Sequence, residues 1–403
     1  MAGSARGLRL RFGASATNQR ALRLLGDRLP RLAGGRMPWL ELHAYDPPAS
    51  GGEDWVRVRP ILAGICGTDM ALLTGHASAI LSPFASFPAV LGHEVVGVVE
   101  EDGRRVVVDP IIGCVVRGLS PCRRCQAGQA RFCEGATEGR ISPGLLIGYC
   151  ADLPGGWSDA MAVHRSQLHP VPEALPDEAA VLVEPFSVAL HAVLAGPPAA
   201  SESVLVIGAG TMGLLTALAL RLVAPDAQVV VLARHDKQRT LAERLGATVA
   251  SAGRGAAVSA AQQHAGARLH RSILGQPVLT GGFSQVYDAV GSRQSVADAL
   301  SAADAGARVV LVGGPAELGG LDWTLAWARE LRVEGTYVYG PEPSLPGALH
   351  TMDEAMRLLA ANPGLPIGEM VTHTYPLAAW REAMRTALLR GPAGAIKVAL
   401  RPR

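Results

Sequence analysis

The residues best equipped for chemistry lie in two short runs. Gly64–Asp69 reads G-I-C-G-T-D and Gly92–Glu94 reads G-H-E. A Cys thiolate and a His imidazole are zinc ligands, and a carboxylate stands close to each, Asp69 after Cys66 and Glu94 after His93, able to orient the ligand or bind in its place. Taken singly, Cys66 reads as a buried thiol and His93 as a core histidine; as a pair they make a candidate metal site. A second group, Cys114, Cys122, Cys125 and Cys133, gathers four of the six cysteines into one stretch. Six cysteines in 403 residues are too sparse for a disulfide scaffold, so this clustering points to a reducing compartment and a bound metal. Cys150 has no companion and reads as a buried thiol.

A different chemistry begins at Val204–Gly213, V-L-V-I-G-A-G-T-M-G. Here G-x-G-x-x-G follows an apolar strand and opens a helix: Gly208 permits the tight turn, Gly210 admits a pyrophosphate to the backbone, and Gly213 lets helix and strand pack closely. Ala209, Thr211 and Met212 complete the turn, so residues 208–213 are the candidate dinucleotide cradle. The carboxylate that would hold the ribose hydroxyls, about 20 residues on, is missing; Ala233 occupies its place and Arg234 follows. A guanidinium suits a 2′-phosphate, with Lys237 or Arg239 in support, and predicts NADP in preference to NAD. A solvated strand-end Arg is the other reading, and Asp236 would reach a ribose if the strand ended later.

The elements that must position these residues differ along the chain. To about Leu194, short Val-rich runs (Trp55–Val58, Val95–Val99, Val106–Val108) broken by Gly and Pro predict an irregular β domain. From Ser203, strand, helix and strand alternate: Val204–Ile207, Val229–Leu232, Gln285–Asp288, Arg308–Val312 and Val333–Tyr337, with a helical stretch at Ser295–Ala303. That is the pattern of a doubly wound parallel sheet. The tail, with helices at Leu349–Ala361 and Ala378–Leu389 and a strand at Ala395–Leu400, is too small to fold alone and is expected to return to the first domain. The division expected is thus 1–194 with 341–403, and 195–340.

Placed together and in this order, G-I-C-G-T-D, the complete G-H-E-x2-G-x5-G from Gly92 to Gly103 and the Gly-rich turn resemble the zinc-containing medium-chain alcohol dehydrogenases over almost the whole chain. The resemblance implies a GroES-like irregular β-barrel catalytic domain joined to a Rossmann domain. Val183–Val193, V-E-P-F-S-V-A-L-H-A-V, resembles the sorbitol, threonine and glucose dehydrogenase branch, in which a Glu replaces the second Cys ligand. Carried over, the catalytic zinc would sit on Cys66, His93 and a carboxylate, either Glu94 or Glu184. Thr68 would hydrogen-bond the substrate oxygen and begin the proton path. Many members place a His three residues beyond this hydroxyl, whereas this chain has Ala71, so the path must continue through ribose hydroxyls, another side chain or water. Cys122, Cys125 and Cys133 are similar to the last three ligands of the family's structural zinc lobe. The usual first position is Leu119, which leaves Cys114 as the fourth ligand, provided the loop from Val115 to Pro121 folds back.

The activity implied is hydride transfer between a secondary alcohol (polyol, sugar or amino alcohol) and NAD(P). A non-catalytic cofactor-binding member and a zinc-free enone reductase are the alternatives; intact Cys66, His93 and Glu184 weigh against both. Composition fits a small-molecule alcohol or ketone substrate: 49% of residues are hydrophobic, and 37 Lys and Arg against 35 Asp and Glu leave +2, which offers no electrostatic case for nucleic acid or an anionic membrane. The longest uncharged stretches fall short of the roughly 20 apolar residues of a membrane span. The first 36 residues, Arg-rich with Asp27 as their one acid, lack the apolar core of a secretory signal and read as a basic strand and helix. A cytoplasmic homodimer or homotetramer is expected.

Overall fold

The computed structural model describes residues 5–11, 37–45 and 52–402. They divide into two compact units, Met1–Glu184 with Met352–Pro363 and Ile367–Arg403, and Pro185–Thr351 with Gly364–Pro366. The first division falls inside the helix Val183–Leu194 rather than after it. Of the expected N-terminal strand and helix, the strand lies at Ala5–Leu10, and the helix lies outside the described residues.

The first unit is built on a largely antiparallel sheet that runs Val371–Pro376, Lys397–Arg401, Trp55–Gly64, Val95–Val99, Arg105–Val108 and Leu168–Pro170, with Met161–His164 also paired to Trp55–Gly64. Valines at alternate positions turn one face inward, and Val58, Val95, Val106, Trp157 and Val398 share a dry core. Pro60 cannot donate to a ladder, and the register of its strand shifts between Pro60 and Leu62. The strand ends at Gly64, directly before Cys66. The tail does pair here: Ala399 and Leu400 lie opposite Gly64 and Ala63. A smaller sheet of Leu40–Tyr45, Ala5–Leu10 and Ala89–Val90 stands beside the loop that carries His93.

The second unit contains six parallel strands in the order Thr248–Ser251, Gln228–Ala233, Ser203–Ile207, Phe283–Asp288, Ala303–Leu311 and Arg332–Gly335. The order reverses around the central strand Ser203–Ile207, the arrangement of a doubly wound Rossmann sheet, with a crevice at its C-terminal edge. Leu205, Val230, Phe283, Val286, Ala299 and Val309 form its core. Two features were not anticipated: the edge strand Thr248–Ser251, too short and too exposed to show a pattern, and a hairpin of Arg268–Arg271 with Pro277–Thr280, whose strands are mostly solvated. No helix among the described residues is long and apolar enough to cross a membrane.

Candidate active site and cofactor cradle

In the first unit, Cys66 caps the helix Gly67–Leu73, and Asp69, at the third helical position, accepts a hydrogen bond from the Cys66 N–H at 2.9 Å. This is a capping-box arrangement with a carboxylate in the reciprocal role. It explains the spacing C-x2-D: the acid that satisfies the helix end also faces His93. Asp69 Oδ1 stands 3.4 Å from His93 Nδ1, and with Nδ1 turned to the carboxylate the ring offers Nε2 to a metal. Burial works to raise the Asp69 carboxyl, but the His93 ring and hydrogen bonds from Tyr149 and Cys66 outweigh it and hold the group below the usual carboxylate value.

Ligand atoms of Cys66, His93 and Glu94 lie within 4.8 Å of one another, a separation that one tetrahedral cation can span. Glu184 is not part of that group; it is buried in the first turn of the helix Val183–Leu194. Glu94 carries a partner that sequence reading missed. Lys397 Nζ donates to both of its oxygens, at 2.6 and 2.5 Å, and the two residues are 3% and 1% exposed. The backbone approaches closely here, since a Cβ at Gly64 would stand 1.9 Å from Glu94 Oε2, so the first Gly of G-I-C-G is a steric requirement of the buried carboxylate.

Thr68 is exposed, and its Oγ1 lies 3.3 Å from the hydroxyl of Tyr149, which donates to Asp69 Oδ1 at 2.6 Å. Because the phenol has one proton and Asp69 takes it, Thr68 must donate to the phenol oxygen. That leaves the Thr68 lone pairs free to accept from a substrate hydroxyl. Tyr149 follows no motif and the sequence did not single it out; Ala71 in place of a His indicated only that the path continues through ribose hydroxyls, another side chain or water.

The four clustered cysteines converge, with all Sγ atoms within 4.8 Å, Cys114 Sγ 3.5 Å from Cys133 Sγ, and all six thiols of the chain free. The loop after Cys114 folds back through hydrogen bonds from the Arg117 and Leu119 N–H groups to the Cys114 carbonyl, and the Cys122 N–H points at Cys114 Sγ. Arg117, also missed, is fully buried and donates to the carbonyls of Glu138 and Gly144, which pins the loop to the following segment. Backbone N–H groups of Cys125 and Glu134 lower the Cys122 thiol to about 6, while burial raises Cys125 to about 11 and Cys133 further. Three free thiols held this close to a readily ionised one fit a closed metal site. Cys150 is buried apart from them.

In the second unit, Gly208–Gly210 line a cavity of about 540 Å³ at the C-terminal edge of the sheet. A Cβ at Gly213 would meet the Gly208 carbonyl oxygen at 1.8 Å, so helix and turn can pack this closely only on glycine. At Gly210 a Cβ would meet nothing within 4 Å, which is the open space a pyrophosphate needs. Thr211, Met212 and Gly213 form the first turn of the helix Thr211–Val223. Ala233 ends its strand buried, and Arg234 lines the cavity. Arg239 does not; its Nη1 is committed to Ser251 Oγ at 3.1 Å, because the helix Asp236–Arg244 turns that side chain toward the neighbouring strand. Arg254, which sequence reading did not single out, lines the cavity instead.

Two family models match the chain: an alcohol dehydrogenase GroES-like domain over residues 52–173 and a zinc-binding dehydrogenase over residues 211–360, together about two thirds of its length. An L-threonine 3-dehydrogenase of Coxiella burnetii is 25% identical over 363 residues, covering 89% of this chain and 95% of that protein. The starvation-sensing protein RspB of Escherichia coli is 35% identical over 210 residues, an alignment that spans 50% of this chain and 56% of that protein. A crystal structure described as a short chain alcohol dehydrogenase, rspB, from E. coli CFT073, complexed with NADH, superimposes with a TM-score of 0.72 at 22% identity, covering 99% of this chain and 100% of that one. At that identity the likeness establishes the fold.

Proposed function

The chain belongs to the zinc-containing medium-chain alcohol dehydrogenases, and from that premise we propose that it moves a hydride between a secondary alcohol of the polyol, sugar or amino alcohol class and NADP. The observation that carries the reading is the convergence of half-buried Cys66 with buried His93 and Glu94 in one cluster. Cys66, His93 and a carboxylate, Glu94 or Glu184, would hold the catalytic zinc, and Cys114, Cys122, Cys125 and Cys133 a structural one. When bound, zinc supplies Lewis acidity that lowers the substrate hydroxyl pKa, and the nicotinamide supplies the hydride acceptor.

The chain's own groups do the positioning. Thr68 accepts a hydrogen bond from the substrate hydroxyl and is itself oriented by Tyr149. Asp69 faces His93 Nδ1 at 3.4 Å, so the carboxylate favours a ring orientation that leaves Nε2 for the metal. Lys397 neutralises Glu94, so the cluster of Cys66, His93 and Glu94 carries one fewer uncompensated negative charge. Arg234 selects the cofactor.

The test is metal analysis of the purified protein joined to a screen of polyols, aldoses, L-threonine and simple secondary alcohols with both cofactors. Two zinc per chain and turnover on one of these classes is the expected result. A folded, zinc-depleted His93→Ala protein with undiminished turnover would overturn it.

A further inference from the structure

The strands Gln228–Ala233 and Thr248–Ser251 run parallel with Ala233 opposite Ser251, and the Ala252 N–H donates to the Ala233 carbonyl at 3.0 Å. One chain end therefore leaves the sheet into Arg234 and the neighbouring one into Gly253-Arg254-Gly255. Both arginines line the cavity that contains the Gly208–Gly210 turn. Among the described residues neither has a hydrogen-bond or ion-pair partner, in contrast to Arg239, Arg293, Arg308 and Arg329 of the same unit.

The carboxylate that lines this cavity, Asp298, belongs to the helix Arg293–Ala302 and takes a hydrogen bond from Gln294 Nε2 at 2.9 Å. Both side chains are exposed, so an anion entering the cavity meets two cations that need not be stripped from other partners. A phosphate monoester carries about −1.5 to −2 at neutral pH, so one guanidinium leaves it incompletely neutralised and two match it. Glycines flank Arg254 on both sides: a Cβ at Gly253 or Gly255 would meet nothing within 4 Å, and Gly255, with φ +75°, caps the helix Ala256–His264.

We propose that Arg254 is a second specificity-determining residue, which with Arg234 clamps the 2′-phosphate of NADP from the adjacent strand end; this rests on the NADP reading above. The division of labour is geometric. Arg234 directly follows Ala233, which holds the place of the ribose-binding acid of other dinucleotide sites, and Arg254 approaches from the next loop, so the phosphate is gripped by two forks instead of one.

Calorimetric titration of the full-length protein with NADP, NAD, 2′,5′-ADP and 5′-AMP tests it. Wild type is expected to bind the 2′-phosphorylated member of each pair more tightly. Arg254→Gln should weaken NADP and 2′,5′-ADP about tenfold, the loss of one charge-assisted hydrogen bond, and leave NAD and 5′-AMP within about twofold. Arg254→Lys, which keeps charge without the fork, should fall between them. If Arg254→Gln leaves 2′,5′-ADP binding unchanged while Arg234→Leu weakens it, or if it weakens NAD and NADP alike, the role of Arg254 is overturned and the NADP reading stands. If wild type binds NAD and 5′-AMP more tightly than their phosphorylated counterparts, the NADP reading itself fails and the clamp with it.

Discussion

The phenol of Tyr149 donates to Asp69 Oδ1 at 2.6 Å across 80 residues of sequence, and Asp69 in turn faces His93. The orientation of a candidate zinc ligand therefore depends on a residue two contacts away. It also depends on burial, since Asp69 is fully enclosed and has no water to replace a lost donor.

Tyr149→Phe removes the proton that Asp69 accepts and the oxygen that Thr68 addresses, with little change in volume. Turnover or zinc affinity should fall about tenfold to a hundredfold while the protein stays folded. Steady-state kinetics and zinc competition by a chelator read the two effects separately. Wild-type values for both would show that His93 is oriented without Tyr149.

Lys397→Met leaves the Glu94 carboxylate buried without its cation. Breaking such a pair from one side is expected to cost about 3 to 5 kcal/mol in urea unfolding. The double variant Glu94→Gln, Lys397→Met should recover part of that stability, because it removes the stranded charge. Equal unfolding midpoints for wild type and Lys397→Met would refute the argument.

Cys114→Ser examines the unusual C-x7-C-x2-C-x7-C spacing. It is expected to reduce bound zinc from two per chain to one and to lower the melting temperature, whereas Cys150→Ser should leave zinc content unchanged. Unaltered zinc and melting temperature in the Cys114 variant, alongside losses in Cys122→Ser, would exclude Cys114 as a ligand.

Asp109 sets a pH dependence of stability. Burial raises its carboxyl from 3.8 to about 6, against the opposing effect of His169 and a hydrogen bond from the Ile111 N–H, with Asp353 adding to the rise. The folded chain thus binds this proton more tightly than the unfolded chain does. The stabilisation is complete below about pH 4 and lost as pH climbs through 6, a difference of about 3 kcal/mol. Asp109→Asn should flatten that part of the profile, so melting temperatures of the two proteins from pH 4 to pH 7 should converge at the acid end and diverge toward neutrality. Parallel profiles would mean that the carboxyl titrates normally.

Much of the fold was legible because its signals are local. The run Val204–Ile207 followed by three spaced glycines needs only its own sequence to predict a strand, a tight turn and a helix, and the structure places them at Ser203–Ile207 and Thr211–Val223. The strand Thr248–Ser251 was not legible, since a short, half-solvated edge strand has no hydrophobic period to read. The cap that Cys66 and Asp69 form was not legible either, since their spacing by itself shows only a thiol with a carboxylate close by.

What the sequence determined by itself was the inventory of chemistry: a thiol, an imidazole and carboxylates at one end, four clustered thiols, and a Gly-rich turn with Arg234 downstream. Residue types and short spacings carry that information because a cap, a turn or a thiol cluster is built from neighbours in the chain. Only the tertiary structure decided which groups serve one another. Lys397 reaches Glu94 from 303 residues away, and Tyr149 reaches Asp69 from a separate loop. It also sent Arg239 to Ser251 and brought Arg254 to the cavity in its place. Such pairings follow from how strands register and how buried charges must be matched, and those are properties of the packed chain that no window of its sequence contains.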